Sequence, residues 1–117
     1  MATELSVNEL IDRLAELHGK PVEVIGLLSF GMEDISLRHF PKAERRRESL
    51  SGHAVYPSSV WIAFGAGSIQ PNPTKLTQWN GKRVHVSGIV YGPRGPCGCG
   101  HLGGWECEIE PYSIQRI

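Results

Sequence analysis

The sequence predicts a small all-β barrel with one helix in front of it, and three observations carry that reading. Fourteen glycines and eight prolines in 117 residues call for many tight turns, as short strands require. Several stretches alternate apolar and polar residues with period two, and one long stretch near the start has helical spacing instead. The third observation is a pattern stated twice: residues 19–31, GKPVEVIGLLSFG, and residues 81–93, GKRVHVSGIVYGP, share a glycine, a lysine, two alternating valines, a mid-strand glycine and two aliphatics at identical offsets, with an aromatic, Tyr91 or Phe30, one or two residues further on. A single repetition is too little for a solenoid, which needs three or more units, so these are two similar strands of one barrel. A chain of this length closes one core. Residues 1–117 are therefore read as one domain, with a helix over 6–18 and a barrel over 19–117.

In SVNELIDRLAELH, residues 6–18, Val7, Leu10, Ile11, Leu14 and Leu17 share one helical face. Ser6 and Glu9 form a capping box, Leu5 and Leu10 a hydrophobic staple, and Gly19 supplies a left-handed stop. In the paired strands Val22, Val24, Val84 and Val86 face the core, while Glu23, Arg83 and His85 face out. Gly26 and Gly88 interrupt the alternation where a closed barrel must bend or bulge. ISLRHF, residues 35–40, sets Ile35, Leu37 and His39 against Ser36, Arg38 and Phe40, and leaves open which side is buried. VWIAFG, residues 60–65, is apolar throughout, as a strand covered on both faces would be, and FGAGS ends it in a turn. The segment between these strands, residues 41–59, is long for a hairpin loop and is read as a partly helical excursion or a functional loop. In PNPTKLTQWNG, residues 71–81, Thr74 caps one helical turn whose Leu76 and Trp79 plug the barrel before the Asn80-Gly81 turn. The last strand, WECEIEPYSIQRI, points Trp105, Cys107 and Ile109 inward and Glu106, Glu108 and Glu110 to solvent, and Pro111 ends its regular pairing.

Helix, three strands, a short helix and two strands, with a glycine-bent first strand, is the order of a five-stranded OB-fold barrel. On GKPVEVIG, ISLRHF, WNGKRVHVSGIVYG and WECEIEPYSIQRI, the chain resembles small bacterial OB-fold proteins, including the tRNA-anticodon-binding-like type, over residues 19–117. An SH3-like or other small barrel has the same strand periodicity. The resemblance implies a binding module, such as a toxin-neutralising immunity protein or an assembly adaptor. The lack of a visible nucleophile, metal motif or cofactor loop makes a non-enzymatic one the expectation.

Charge orders the partners. Twelve basic residues balance twelve acidic ones, so no long-range field gathers polyanions or acidic membrane, and any phosphate contact must be local. The one local basic cluster is Lys42, Arg45, Arg46 and Arg47, interrupted by Glu44 and closed by Glu48. It reads either as a solvated turn with internal salt pairs or as a phosphate-contacting patch. With Arg38, Phe40 and Tyr56 it lies beside the second and third barrel strands, the usual OB ligand surface, and Tyr91, Arg94 and His101 flank the loop between the last two strands. Trp61, Trp79 and Trp105 are read as large buried side chains, the indole N–H of Trp79 and Trp105 finding a partner at the barrel rim. A nonspecific single-stranded nucleic-acid binder should carry a basic excess, which is absent here. A protein partner therefore leads, nucleic acid comes second, and no membrane partner is expected.

CGCGHLGGWEC, residues 97–107, holds all three cysteines. Cys97, Cys99, His101 and Cys107 are chemically a complete Cys₃His set for zinc. Against that, C-x-C is tighter than the usual C-x₂₋₄-C, and Cys107 shares its alternation with Trp105 and Ile109, which makes it a small core hydrophobe. The competing reading is a glycine-rich hairpin loop without cofactor. A Cys97–Cys99 disulfide would be strained, and His39, His53 and His85 show no ligand spacing. No phosphate-binding glycine loop, nucleophile elbow, H-E-x-x-H or dinucleotide fingerprint occurs, and Glu33 and Asp34 are adjacent, so they point to opposite sides. The first ten residues carry neither a basic region nor an apolar run, and no stretch approaches the roughly 20 apolar residues of a membrane span. With an odd number of cysteines, a soluble cytoplasmic protein is expected.

Overall fold

A capping box starts the first helix, as the sequence predicts. Ser6 Oγ accepts the Glu9 N–H at 3.2 Å, and Glu9 Oε1 accepts the Ser6 N–H at 3.0 Å. These bonds, the backbone one foremost, hold the Glu9 carboxyl below its ordinary value. The computed structural model describes residues 4–31, 33–48, 55–64, 72–93, 98–100 and 103–117. Its elements are β1 (Glu4–Ser6), α1 (Val7–Asp12), α2 (Leu14–Leu17), β2 (Pro21–Phe30), β3 (Ile35–Arg38), a 3₁₀ turn (Lys42–Glu44), β4 (Ser59–Ile62), α3 (Pro73–Trp79), β5 (Arg83–Tyr91) and β6 (Glu108–Arg116).

The helix expected over 6–18 is therefore two pieces. Arg13, at φ −101° and ψ 13°, leaves helical geometry between them. The break lets each turn dock separately. Val7, Leu10 and Ile11 enter the barrel core, whereas half-buried Leu14 reaches toward Gly92, whose N–H donates to His18 Nδ1 at 2.9 Å. Gly19, at φ 78°, makes the left-handed stop. None of the described helices is long and apolar enough to cross a membrane.

Five strands close into a ring in the order β2-β3-β4-β6-β5, with β5 returning to β2. All neighbours are antiparallel except β4 and β6, which run parallel. The sequence reading missed β1, which pairs in parallel with residues 23–25 of β2 before β3 takes over that edge from Leu27 onward. Gly26 sits at the handover: a Cβ there would lie 2.6 Å from the Arg38 carbonyl oxygen. Val22, Val24, Val84 and Val86 fill the core as expected, joined by Leu28, Leu37, Val60, Ile62, Val90 and Ile109. On the outer side His85 Nε2 lies 3.1 Å from Glu23 Oε1. In ISLRHF the buried side is that of Leu37 and His39, although Ser36 is also covered.

The helix between β4 and β5 starts one residue pair earlier than expected. Asn72, not Thr74, is the cap, its Oδ1 accepting the Lys75 N–H at 3.2 Å, because Pro73 occupies the first helical position, where a missing N–H costs nothing. Leu76 enters the core, Trp79 packs against it, and Gly81 turns at φ 78°. Except for Phe64, the FGAGS turn lies outside the described residues.

The last strand departs most from its pattern. Regular pairing begins only at Glu108, so alternation counted backward from Ile109 does not reach Trp105, which is buried outside the barrel core. Glu106 is buried rather than solvent-facing. Pro111 does not end the pairing. It stands opposite Gly88 beside a register shift that leaves Tyr112 unpaired, a bulge that tolerates proline.

Candidate functional site

Alternation along β4 sends Val60 and Ile62 into the core and Ser59 and Trp61 to the outer face. Over that outer face lies a narrow hairpin. The Cys99 N–H donates to the Trp105 carbonyl at 2.8 Å, the Trp105 N–H returns to Cys99 at 3.1 Å, and the Gly103 N–H donates to Gly100 at 3.0 Å. Trp105, 1% exposed, stacks on Tyr56 with centroids 4.4 Å apart and tilts against Trp61 at 4.8 Å. Its Nε1–H donates to Ser59 Oγ at 2.9 Å, the partner an enclosed indole requires. At Gly100, φ is +75° and a Cβ would lie 2.6 Å from the Trp61 ring and 2.7 Å from that of Trp105. The glycines thus let a backbone lie directly on two indoles.

This geometry divides the cysteines. Cys107 is inside the barrel, where burial first, and then the neighbouring Cys99, Glu106 and Glu108, push its thiol far up, so it stays protonated and inert. Cys99 is buried within the hairpin itself, paired with Trp105. Cys97 and His101 lie outside the described residues, as do Arg94 and His53. Among the described residues no three His, Cys, Asp or Glu side chains gather as a metal site.

Beside the aromatic stack a pocket of about 180 Å³ is lined by Arg38, Arg45, Arg46 and residues 55–59. Each guanidinium is tethered. Arg38 Nη2 donates to Asp34 Oδ2 at 2.8 Å, Arg45 Nε to the His39 carbonyl at 2.9 Å, and Arg46 Nη2 to Asp12 at 2.7 Å. Burial alone would raise the Asp34 carboxyl, but hydrogen bonds from Ser36, Arg38 and Ser29 outweigh it and hold the group below its ordinary value. Arg45 has no carboxylate partner among the described residues. Burial, and then the charge of Arg38, pull it below the usual arginine value. The rim is apolar, with Val55 71% and Tyr56 41% exposed.

The fold behind this site has solved counterparts. OBody AM3L09 bound to hen egg-white lysozyme is 17% identical, with 87% of this chain and 85% of that chain covered and a TM-score of 0.53. The fold is an OB-fold barrel. A second structure, OBody AM2EP06 bound to hen egg-white lysozyme, is 18% identical over 87% of this chain and 83% of that chain, with a TM-score of 0.46. No family model and no curated protein matches the sequence.

In OB-folds the face of the second and third barrel strands is the usual ligand surface. Here those strands are β3 and β4, so the hairpin and the arginine pocket share that face of the OB barrel. Of the residues singled out from the sequence, the structure unites Arg38, Arg45, Arg46 and Tyr56. Lys42 and Arg47 are exposed and do not line the pocket. Phe40 stands apart beneath the Arg83 guanidinium at 4.8 Å, and Tyr91 meets His18 edge-on at 5.7 Å.

Sequence reasoning missed His39, the hub behind the pocket of this OB barrel. Only 2% exposed, it accepts the Asn8 N–H on Nδ1 at 3.1 Å, which leaves Nε2–H to donate to Glu44 at 3.0 Å. The Asn8 N–H is one of the donors that the first turn of a helix leaves free. The His39 N–H donates to Ser58 at 2.9 Å, and its carbonyl takes Arg45 Nε. The available signal was its period-two partnership with Leu37.

Proposed function

We propose that this chain is a non-enzymatic binding module that holds a protein partner on the outer face of β3 and β4. The observation that carries this reading is the arginine pocket rimmed by exposed Val55 and Tyr56. A polar, charged pocket beside an apolar rim is the composition of a protein interface, where Arg and Tyr are enriched as anchors. Base stacking would need free aromatic faces. Here Trp61 and Trp105 pack on each other, and one face of Tyr56 is taken by Trp105. Two of the three pocket arginines are already paired with aspartates, and the chain has no net charge, which further disfavours a phosphate backbone. OBody AM3L09, with the same fold, is bound to a globular protein, lysozyme. A toxin-neutralising protein or an assembly adaptor is the class of activity this surface serves.

Val55 makes the clean test, because its exposed side chain can change without touching the core. Affinity capture with the intact chain should recover one stoichiometric protein that survives nuclease treatment. Val55→Asp should weaken its binding by about thirtyfold, the scale of an interface hot spot. Recovery that disappears with nuclease, or is unchanged in V55D, contradicts the proposal.

A further inference from the structure

We infer that the pocket of Arg38, Arg45 and Arg46 is a carboxylate-binding site that receives an aspartate or glutamate side chain of the protein partner. The identity of the ligand's carrier rests on the function proposed above; the chemistry of the site rests on its own geometry. The charged side chains lining the pocket are all donors. The lining residues supply three guanidiniums and the hydroxyls of Tyr56, Ser58 and Ser59, and none of them carries a carboxylate. Both serine oxygens already accept internal bonds, Ser58 Oγ from the Arg46 N–H at 2.8 Å and Ser59 Oγ from Trp105 Nε1–H at 2.9 Å, so their own O–H groups remain to donate.

The guanidiniums are also preorganised. One edge of each is fixed by Asp34, the His39 carbonyl or Asp12, while five N–H donors per arginine leave others for a ligand. Arg46 Nη1 is buried with no hydrogen-bond partner among the described residues. Side chains held in place lose little rotamer entropy on binding, which favours affinity. Charge then selects the ligand. Among the described residues, the two paired aspartates leave the three arginines one uncompensated positive charge, that of Arg45, with the like charge of Arg38 acting on it. A monoanionic carboxylate neutralises that surplus, whereas a phosphate dianion exceeds it. The apolar rim of Val55 and Tyr56 covers the methylene stem of an acidic side chain.

The test needs no partner. Backbone amides and arginine Nε–H groups are followed by NMR while N-acetyl-glutamate α-amide, N-acetyl-glutamine α-amide or inorganic phosphate is added to the intact protein. The glutamate derivative should produce saturable shifts at Arg45 Nε–H and the Ser58 and Ser59 amides in the millimolar range. The glutamine derivative should produce none, and phosphate should bind more weakly than the glutamate derivative. Arg45→Gln should weaken carboxylate binding about tenfold, one charge-assisted hydrogen bond's worth. Arg38→Gln, at an exposed strand position, replaces it if R45Q loses its dispersed spectrum. Non-saturating shifts, equal shifts with the glutamine derivative, unchanged affinity in the arginine variant, or tighter binding of phosphate would each overturn the assignment. Such failure leaves the protein-partner reading standing, and failure of the nuclease-resistant capture leaves this titration standing.

Discussion

Trp105→Ala is expected to remove about 3–5 kcal/mol of folding stability, read as a lower denaturation midpoint. The ring is nearly completely enclosed although it lies outside the barrel core. Its loss leaves a cavity between Tyr56 and Trp61, and leaves Ser59 Oγ without its buried donor. The hairpin also loses the surface on which Gly100 rests. Trp105→Phe should recover part of this stability, because it restores ring contact but not the hydrogen bond. A cost below about 1 kcal/mol for the alanine variant would show that the hairpin is not held by the indole.

Gly88→Ala comes next, with an expected loss of about 3 kcal/mol from overpacking. A Cβ at this position would lie 2.3 Å from the Glu110 carbonyl oxygen and 2.9 Å from Ile109 Cγ1. The obstacle is backbone of the neighbouring strand, held by the bulge at Tyr112, so it cannot move without opening the β5–β6 seam. Gly19→Ala is the contrast. Its cost should be about 1 kcal/mol, since φ is +78° but nothing lies within 4 Å of a Cβ. Thermal or urea unfolding of the two variants checks the order. Equal effects would mean that conformation, not close approach, decides both positions.

The frame of the barrel was legible because local chemistry determines it. The capping box, the twin valine strands, the two mid-strand glycines and the Asn80-Gly81 turn all stand where spacing placed them. Other features depend on neighbours far along the chain. β1 is a three-residue strand, too short to show periodicity, and is held by β2. The break at Arg13 follows from two docking surfaces on the barrel, which helical spacing alone cannot reveal. Trp105 was misplaced because period-two counting presumes a continuous strand, and the strand starts at Glu108. A closer reading of Asn72-Pro73 would have located the α3 cap.

The candidate site was legible as composition more than as geometry. The run Arg45-Arg46-Arg47 marked the segment, yet only the fold separates Arg45 and Arg46 in the pocket from exposed Arg47. Nothing in the spacing brings Asp12 to Arg46, 34 residues away, or Asn8 to His39, 31 residues away. Those two contacts tie the first helix to the pocket, so α1 is part of the site's support rather than an appendage to the barrel.

The central claim is that the outer face of β3 and β4 is the binding surface, and amide-shift mapping with the captured partner tests it most directly. The account predicts perturbations centred on Arg38, Arg45, Arg46 and residues 55–59. Perturbations confined to the region of His18, Tyr91 and Gly92, with the arginine pocket unchanged, would contradict it.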